Sequence, residues 1–199
     1  VDGVAVTSPL VSGVLPYAHP RHMLVRGSKG SLCGNHAMDE ADLLVAVGTR
    51  AVCQSDSSRT GYPRVRTVLH IDADLRTATH YGRSHAFVGD VAATLRELNR
   101  RMTPKSPGTW LAECTAKKAE WEAFKQERLD TPTLHDDVWG RPVLTQPAAI
   151  LAATQWARDR DVVSFFDAGD VQANGFQIVE DDRLGRTFTD TGASYMGWA

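Results

Sequence analysis

A chain of 199 residues is long enough for one large domain or two small ones, and for a buried core. With 42% hydrophobic and 23% charged residues it has an ordinary globular mixture, and a net charge of only −2 excludes electrostatic attraction to nucleic acid or to an anionic membrane. No apolar run approaches the ~20 residues of a membrane span, and the opening VDGVAVTSPLVSGVLP lacks the basic and apolar regions of a signal peptide, reading instead as a chain entered halfway through a domain. Cys33, Cys53 and Cys114 are odd in number, dispersed and without a C-x-x-C, which points to reduced core thiols in a cytoplasmic protein rather than zinc or a disulfide framework. His19 and His22 are close together in HPRH, but Pro20 disfavours a helix there, so the pair reads as a surface loop and not as a metal site.

In chain order, Val4–Thr7 is a plausible strand, followed by a turn-rich segment through Pro9, Gly13, Pro16 and Pro20. A helix over Asn35–Ala41 feeds the run Asp42–Gly48, whose continuous apolar character predicts a strand covered on both faces. Arg66–Asp72 is the next strand. Asp90 caps a helix whose Val91, Leu95, Leu98 and Met102 recur at helical spacing as a core stripe. Short apolar runs alternating with helical stretches read as α/β with a parallel sheet, over 1–102. Residues 103–144 form a linker and helix: TPKSPG is turn-rich, and Trp110, Cys114, Lys117, Trp121 and Phe124 then mark one side of an amphipathic helix, the two tryptophans as packing anchors. Residues 129–144, with Pro132, Gly140 and Pro142, read as a crossover loop. Pro147 suits the first turn of a helix through Arg158, and Asp161–Asp167 is a buried strand opening a second α/β unit over 145–199. The acidic run Glu180-Asp181-Asp182 reads as a solvated loop.

The strand end Asp167-Ala168-Gly169-Asp170-Val171-Gln172 and the loop Asp190-Thr191-Gly192-Ala193-Ser194-Tyr195-Met196-Gly197 carry the chemistry. A glycine at the carboxyl end of a parallel strand allows close backbone approach to a phosphate, and open α/β sheets bind ligands at that edge. Together these stretches resemble the start of the cofactor domain of acetolactate-synthase-like thiamine-diphosphate enzymes, where a D-x-G turn precedes a G-x-G-x-M-G loop. The resemblance implies that Gly169, Asp170, Val171 and Gln172 lie at the cofactor's diphosphate, and that Gly192, Ser194 and Met196 hold its rings, the methionine propping the thiamine in a bent form. Relatives often carry a histidine near position 172 and a glycine at position 194. Here Gln172 can donate a hydrogen bond but no charge, and Tyr195 narrows the substrate side.

The first half resembles the Rossmann-like middle domain of the same family, through Gly13–Pro16, Gly27-Ser28-Lys29-Gly30, Ala41–Arg50, His70–Asp74 and Val88-Gly89-Asp90. Some members bind FAD or ADP there, which implies Gly27, Gly30, Arg50, Asp72, Asp74 and Asp90 as contacts. Flavin-binding relatives continue with Asp-Asp-Arg where this chain has Ala51–Arg59. The family's magnesium-binding G-D-G does not occur, so no metal ligand and no catalytic residue is expected in this chain. The resemblance implies an incomplete middle domain followed by the first α/β unit of a cofactor domain, a fragment inactive alone. Its parent would be an oligomer using thiamine diphosphate and Mg²⁺ on a 2-keto acid or diketone, with neither nucleic acid nor membrane as partner. A hydrolase opening a cyclic 1,2-dione and a non-catalytic nucleotide-binding or oligomerisation module are the alternatives.

Overall fold

Parallel strand pairs organise most of the chain in a computed structural model that describes residues 2–50, 60–81, 84–104, 106, 108–190, 195–197 and 199. Strand β1 (Ala5–Thr7) lies parallel to β2 (His22–Val25), with a register slip near Leu24, a residue of φ 63°. Strands β3 (Leu43–Val47), β4 (Thr67–Asp72) and β5 (Ser84–Val88) form a parallel sheet in that order, with Val47 opposite Ile71 and Asp72 opposite Val88. Further along, β6 (Thr133–Asp136) and β7 (Arg141–Leu144) make an antiparallel hairpin, and β8 (Ser164–Phe166) pairs in parallel with β9 (Thr187–Thr189). The architecture is mixed α/β with parallel sheets, consistent with the Rossmann-like expectation.

The helices start where short polar side chains close the turns after strands. Ser31 Oγ accepts from Gly34 N at 3.0 Å to open α1 (Leu32–Glu40). Asp74 accepts from Thr77 N at 2.9 Å to open α2 (Leu75–Ala78), and Asp90 from Ala93 N at 2.7 Å to open α3 (Val91–Arg101). Each bond satisfies an amide the helix itself leaves unpaired. Helix α4 (Trp110–Asp130) is about 30 Å long, α5 (Gln146–Asp159) carries Pro147 in its first turn, and α6 (Asp170–Ile178) follows β8. Among the described residues no helix is long and apolar enough to cross a membrane.

Three apolar clusters hold these elements. Met23, Leu24, Cys33, Ala37, Cys114 and Trp121 join β2, α1 and α4. Ala46, Val68 and Tyr81 lie under one face of the β3–β5 sheet, and Ile150, Phe166, Ile178 and Val179 join α5, α6 and β8. Cys33 and Cys114 are buried free thiols, and Cys53 lies outside the described residues. Burial raises both thiols, Cys114 to about 12.

Several local expectations change. The HPRH segment is not all loop: His22 is buried as the first residue of β2, its Nε2 3.3 Å from Thr7 Oγ1 on the paired strand β1. Strand β3 is covered on one face only. Ala46 is buried while Leu43, Val45 and Val47 are 43%, 40% and 39% exposed, because the continuous apolar run meets a packing layer on just one side among the described residues. No residue of α3 is buried, so its stripe lies shallowly on the sheet. Residues 133–144 form a hairpin whose turn is closed by Asp136 Oδ1, accepting from Val138 N and Trp139 N at 2.9 Å, and by Gly140 at φ 59°.

Candidate functional site

The carboxyl edge of β8 and β9 gathers the two stretches singled out in the second half. Gly169 caps α6 at φ 98°, and the space beside its Cα is open for 4 Å, so the first-turn amides of α6 are approachable. Asp167 faces two ways: Oδ1 accepts from Ala168 N at 2.8 Å and Oδ2 from Gly197 N at 2.6 Å. That second bond brings the D-A-G turn and the terminal loop together across 30 positions. Asp190 Oδ2 accepts from Tyr195 N at 3.2 Å, leaving the side chains of Tyr195 and Met196 71% and 85% exposed. Gly192 and Ser194 lie outside the described residues.

Asp170 opens α6, and Val171 is 43% exposed. Gln172 is wholly buried and turned onto β9, its Nε2 donating to Thr189 Oγ1 at 2.8 Å. Its Oε1 accepts from Lys29 Nζ at 3.4 Å. Lys29 stands inside the matching stretch Gly27–Gly30 but is not among the contacts the resemblance implies. The signal that could have found it is a lone cation between Gly27 and Gly30 at a strand end.

The structure divides the other six candidates between two places. Gly27 (φ 119°) and Gly30 form the tight turn after β2, where Gly27 N donates to Asn35 Oδ1 at 2.9 Å and Gly30 N to Gly27 O at 3.0 Å. A side chain on Gly30 would meet backbone at 2.7 Å. Arg50, Asp72, Asp74 and Asp90 lie at the carboxyl edge of the β3–β5 sheet. Arg50 is exposed there, Asp72 Oδ1 accepts from Asp74 N at 2.9 Å, and Asp74 and Asp90 cap helices. The Thr77 hydroxyl and amide hold the Asp74 carboxyl below its ordinary range, with a smaller contribution from the Arg50 charge.

A buried ionic knot ties the two halves together. Lys125 of α4 is 4% exposed at its side chain and donates to Tyr17 OH at 2.6 Å and Glu180 Oε1 at 2.6 Å, with Glu122 Oε2 at 3.1 Å. Tyr17 also donates to Glu122 and receives the Lys125 ammonium over its ring at 4.5 Å. Burial, then the Glu122 hydrogen bond, pushes the Tyr17 phenol up. The run Glu180–Asp182 is thus not simply a solvated loop: Glu180 is paired, and Asp181 is buried with Oδ1 accepting from Thr187 Oγ1 at 3.1 Å.

As a test of fit, the open space at Gly169, the first-turn amides of α6 and the exposed Met196 suit the phosphate end and ring of a thiamine-type cofactor. At the β3–β5 edge the three aspartates already accept bonds from their own chain, leaving open space at Gly48 and Gly89 for any nucleotide. Among the described residues, no cluster of three or more His, Cys, Asp or Glu could hold a metal ion.

Residues 2–98 match the family described as "Thiamine pyrophosphate enzyme, central domain". The chain is 29% identical over 171 residues to the putative thiamine pyrophosphate-containing protein YdaP of Bacillus subtilis, covering 84% of this chain and 27% of that protein. It is 25% identical over 132 residues to a probable chloroplastic acetolactate synthase 2 of Oryza sativa, covering 61% of this chain and 20% of the other. It is 31% identical over 97 residues to an acetolactate synthase of Mycobacterium avium, covering 47% of this chain and 15% of that protein. The chain thus spans about a quarter or less of the length of these relatives. Over residues 2–98 it belongs to the thiamine pyrophosphate enzyme family, as a central domain.

Proposed function

We propose that this chain is part of a thiamine-diphosphate-dependent enzyme that cleaves and joins C–C bonds next to the carbonyl of a 2-keto acid, in the manner of acetolactate synthase. The observation that carries the reading is the Asp167–Gly197 hydrogen bond, which brings the D-A-G turn and the methionine loop to one sheet edge beside the α6 N-terminus. Relatives named as acetolactate synthases support the reaction class. When bound, thiamine diphosphate supplies the carbon nucleophile that protein side chains lack. The chain's own residues hold and orient it: amides of Gly169, Asp170 and Val171 at the diphosphate, with Gln172 bracing α6 against β9, and Gly192, Ser194 and Met196 at the rings. Magnesium would accompany the diphosphate, with ligands beyond those described here. The β3–β5 edge, with Arg50, Asp72, Asp74 and Asp90, is the place for FAD or ADP. The active assembly is a cytoplasmic homo-oligomer, and the 199 residues alone turn over no substrate.

Titration calorimetry of the purified chain with thiamine diphosphate and Mg²⁺ tests this. The expected result is binding that Gly169→Val weakens by about tenfold or more, while Asp90→Ala leaves it unchanged. Equal binding by Gly169→Val, or none by the unaltered chain, rejects the site. Pyruvate turnover by these residues alone rejects their inactivity.

A further inference from the structure

The four methionines of this chain lie at four different depths. Met23 is wholly buried in the first cluster and Met38 is 7% exposed, whereas Met102, just after α3, is 36% exposed and Met196 is 85% exposed. Met196 also differs in its setting. The main-chain N–H groups of its two neighbours, Tyr195 and Gly197, donate to Asp190 Oδ2 and Asp167 Oδ2. The backbone is therefore held on both sides of a thioether that stands in solvent. Asp167 belongs to the turn that ends at Gly169, which keeps residue 196 at the carboxyl edge of β8.

A thioether and a hydroperoxide react in one two-electron step. A sulfur lone pair attacks the terminal peroxide oxygen, the O–O bond breaks, and the proton of the transferred oxygen passes to the departing hydroxide, which leaves as water. Sulfur is oxidised to the sulfoxide and the peroxide is reduced. Access decides which methionine reacts, and the product is a polar side chain where an apolar, flexible one stood. We infer that Met196 is the site at which hydroperoxides modify this chain, and that its sulfoxide releases thiamine diphosphate without unfolding the protein. The release rests on the cofactor site proposed above; the preference for Met196 rests on its exposure. A sulfoxide oxygen pressed against a cofactor ring loses its hydrogen bonds to water. The two bonds that hold the loop involve no side-chain atom of residue 196, so they survive the oxidation.

The experiment treats the chain with hydrogen peroxide, then with dithiothreitol to return oxidised thiols. Peptide mass mapping follows each methionine, titration calorimetry follows thiamine diphosphate in Mg²⁺, and a thermal melt follows the fold. Met196 is expected to gain one oxygen atom before Met102 does, with Met23 and Met38 unchanged. At that stage affinity falls by about tenfold or more while the melt stays where it was. Saturating thiamine diphosphate slows the oxidation of Met196 and not of Met102, and the two methionine sulfoxide reductases together restore binding. Met102→Leu still loses affinity on peroxide treatment, whereas in Met196→Leu the affinity, whatever its starting value, no longer responds. Earlier oxidation of Met102, or a fully oxidised Met196 with affinity intact, overturns the proposal. Absence of binding before any peroxide is added rejects the cofactor site itself and the release with it, so the two failures read differently.

Discussion

Replacing Lys125 by methionine removes the ammonium from the ionic knot and keeps most of the side-chain volume. Deleting one partner of a buried ion pair costs about 3–5 kcal/mol, because the other charge is left without compensation. Lys125 is 4% exposed at its side chain, but Glu122 and Glu180 are 38% and 27% exposed, and Arg158 stays 3.6 Å from Glu180. Water and arginine therefore recover part of the loss, and about 2–3 kcal/mol is expected. For a chain of this length that corresponds to about 5–10 °C in the thermal midpoint. The assay is a thermal melt followed by circular dichroism, with Arg100→Ala as control, since Arg100 pairs with Glu97 in full solvent. Adding Glu122→Gln and Glu180→Gln to Lys125→Met should return most of the midpoint. If Lys125→Met melts with the Arg100→Ala control, the ammonium is not desolvated in solution and the reasoning fails.

Cys33 and Cys114, both buried and with raised pKa values, should resist iodoacetamide in the native chain at about pH 8 and react once urea unfolds it, as read by intact mass. Burial lowers His22 and His70 from 6.5, so the unfolded chain takes up their protons first. Stability is then full above about pH 6.5 and falls as pH drops through the lower folded-state values, which urea midpoints at about pH 7.5 and 5.5 would show; a flat or rising profile contradicts it. Gly34→Ala would place a Cβ 2.4 Å from Val25 O between α1 and β2, costing about 1–3 kcal/mol, whereas Gly89→Ala meets nothing within 4 Å and should melt like the parent.

Elements with a strong local signal were readable in advance. The apolar runs at β3, β4 and β8, the Asp90 cap and the Pro147 helix start all carry their conformation in neighbouring residues. Strand β2 did not, because HMLV follows a proline-rich turn and its Met23 and Leu24 are buried in a cluster with Cys114 and Trp121 of α4, far along the chain. Helix α6 holds Asn174 and Gly175 in its interior, weak helix formers that only its packing on Phe166 overrides. At the site, the D-A-G turn and the methionine loop were legible as motifs. The Lys29–Gln172 contact was not, since it joins residues with no shared periodicity and forms only when two sheets present their edges to each other.

Among the described residues of the 195–197 loop, the main-chain N–H groups of Tyr195 and Gly197 rest on Asp190 and Asp167, while the Tyr195 and Met196 side chains stand exposed. Anchoring of the backbone and exposure of the side chains are thereby carried by different atoms. The side chain at position 195 can change, by natural drift or by library screening, without re-siting the backbone that presents it, while the two aspartates hold still.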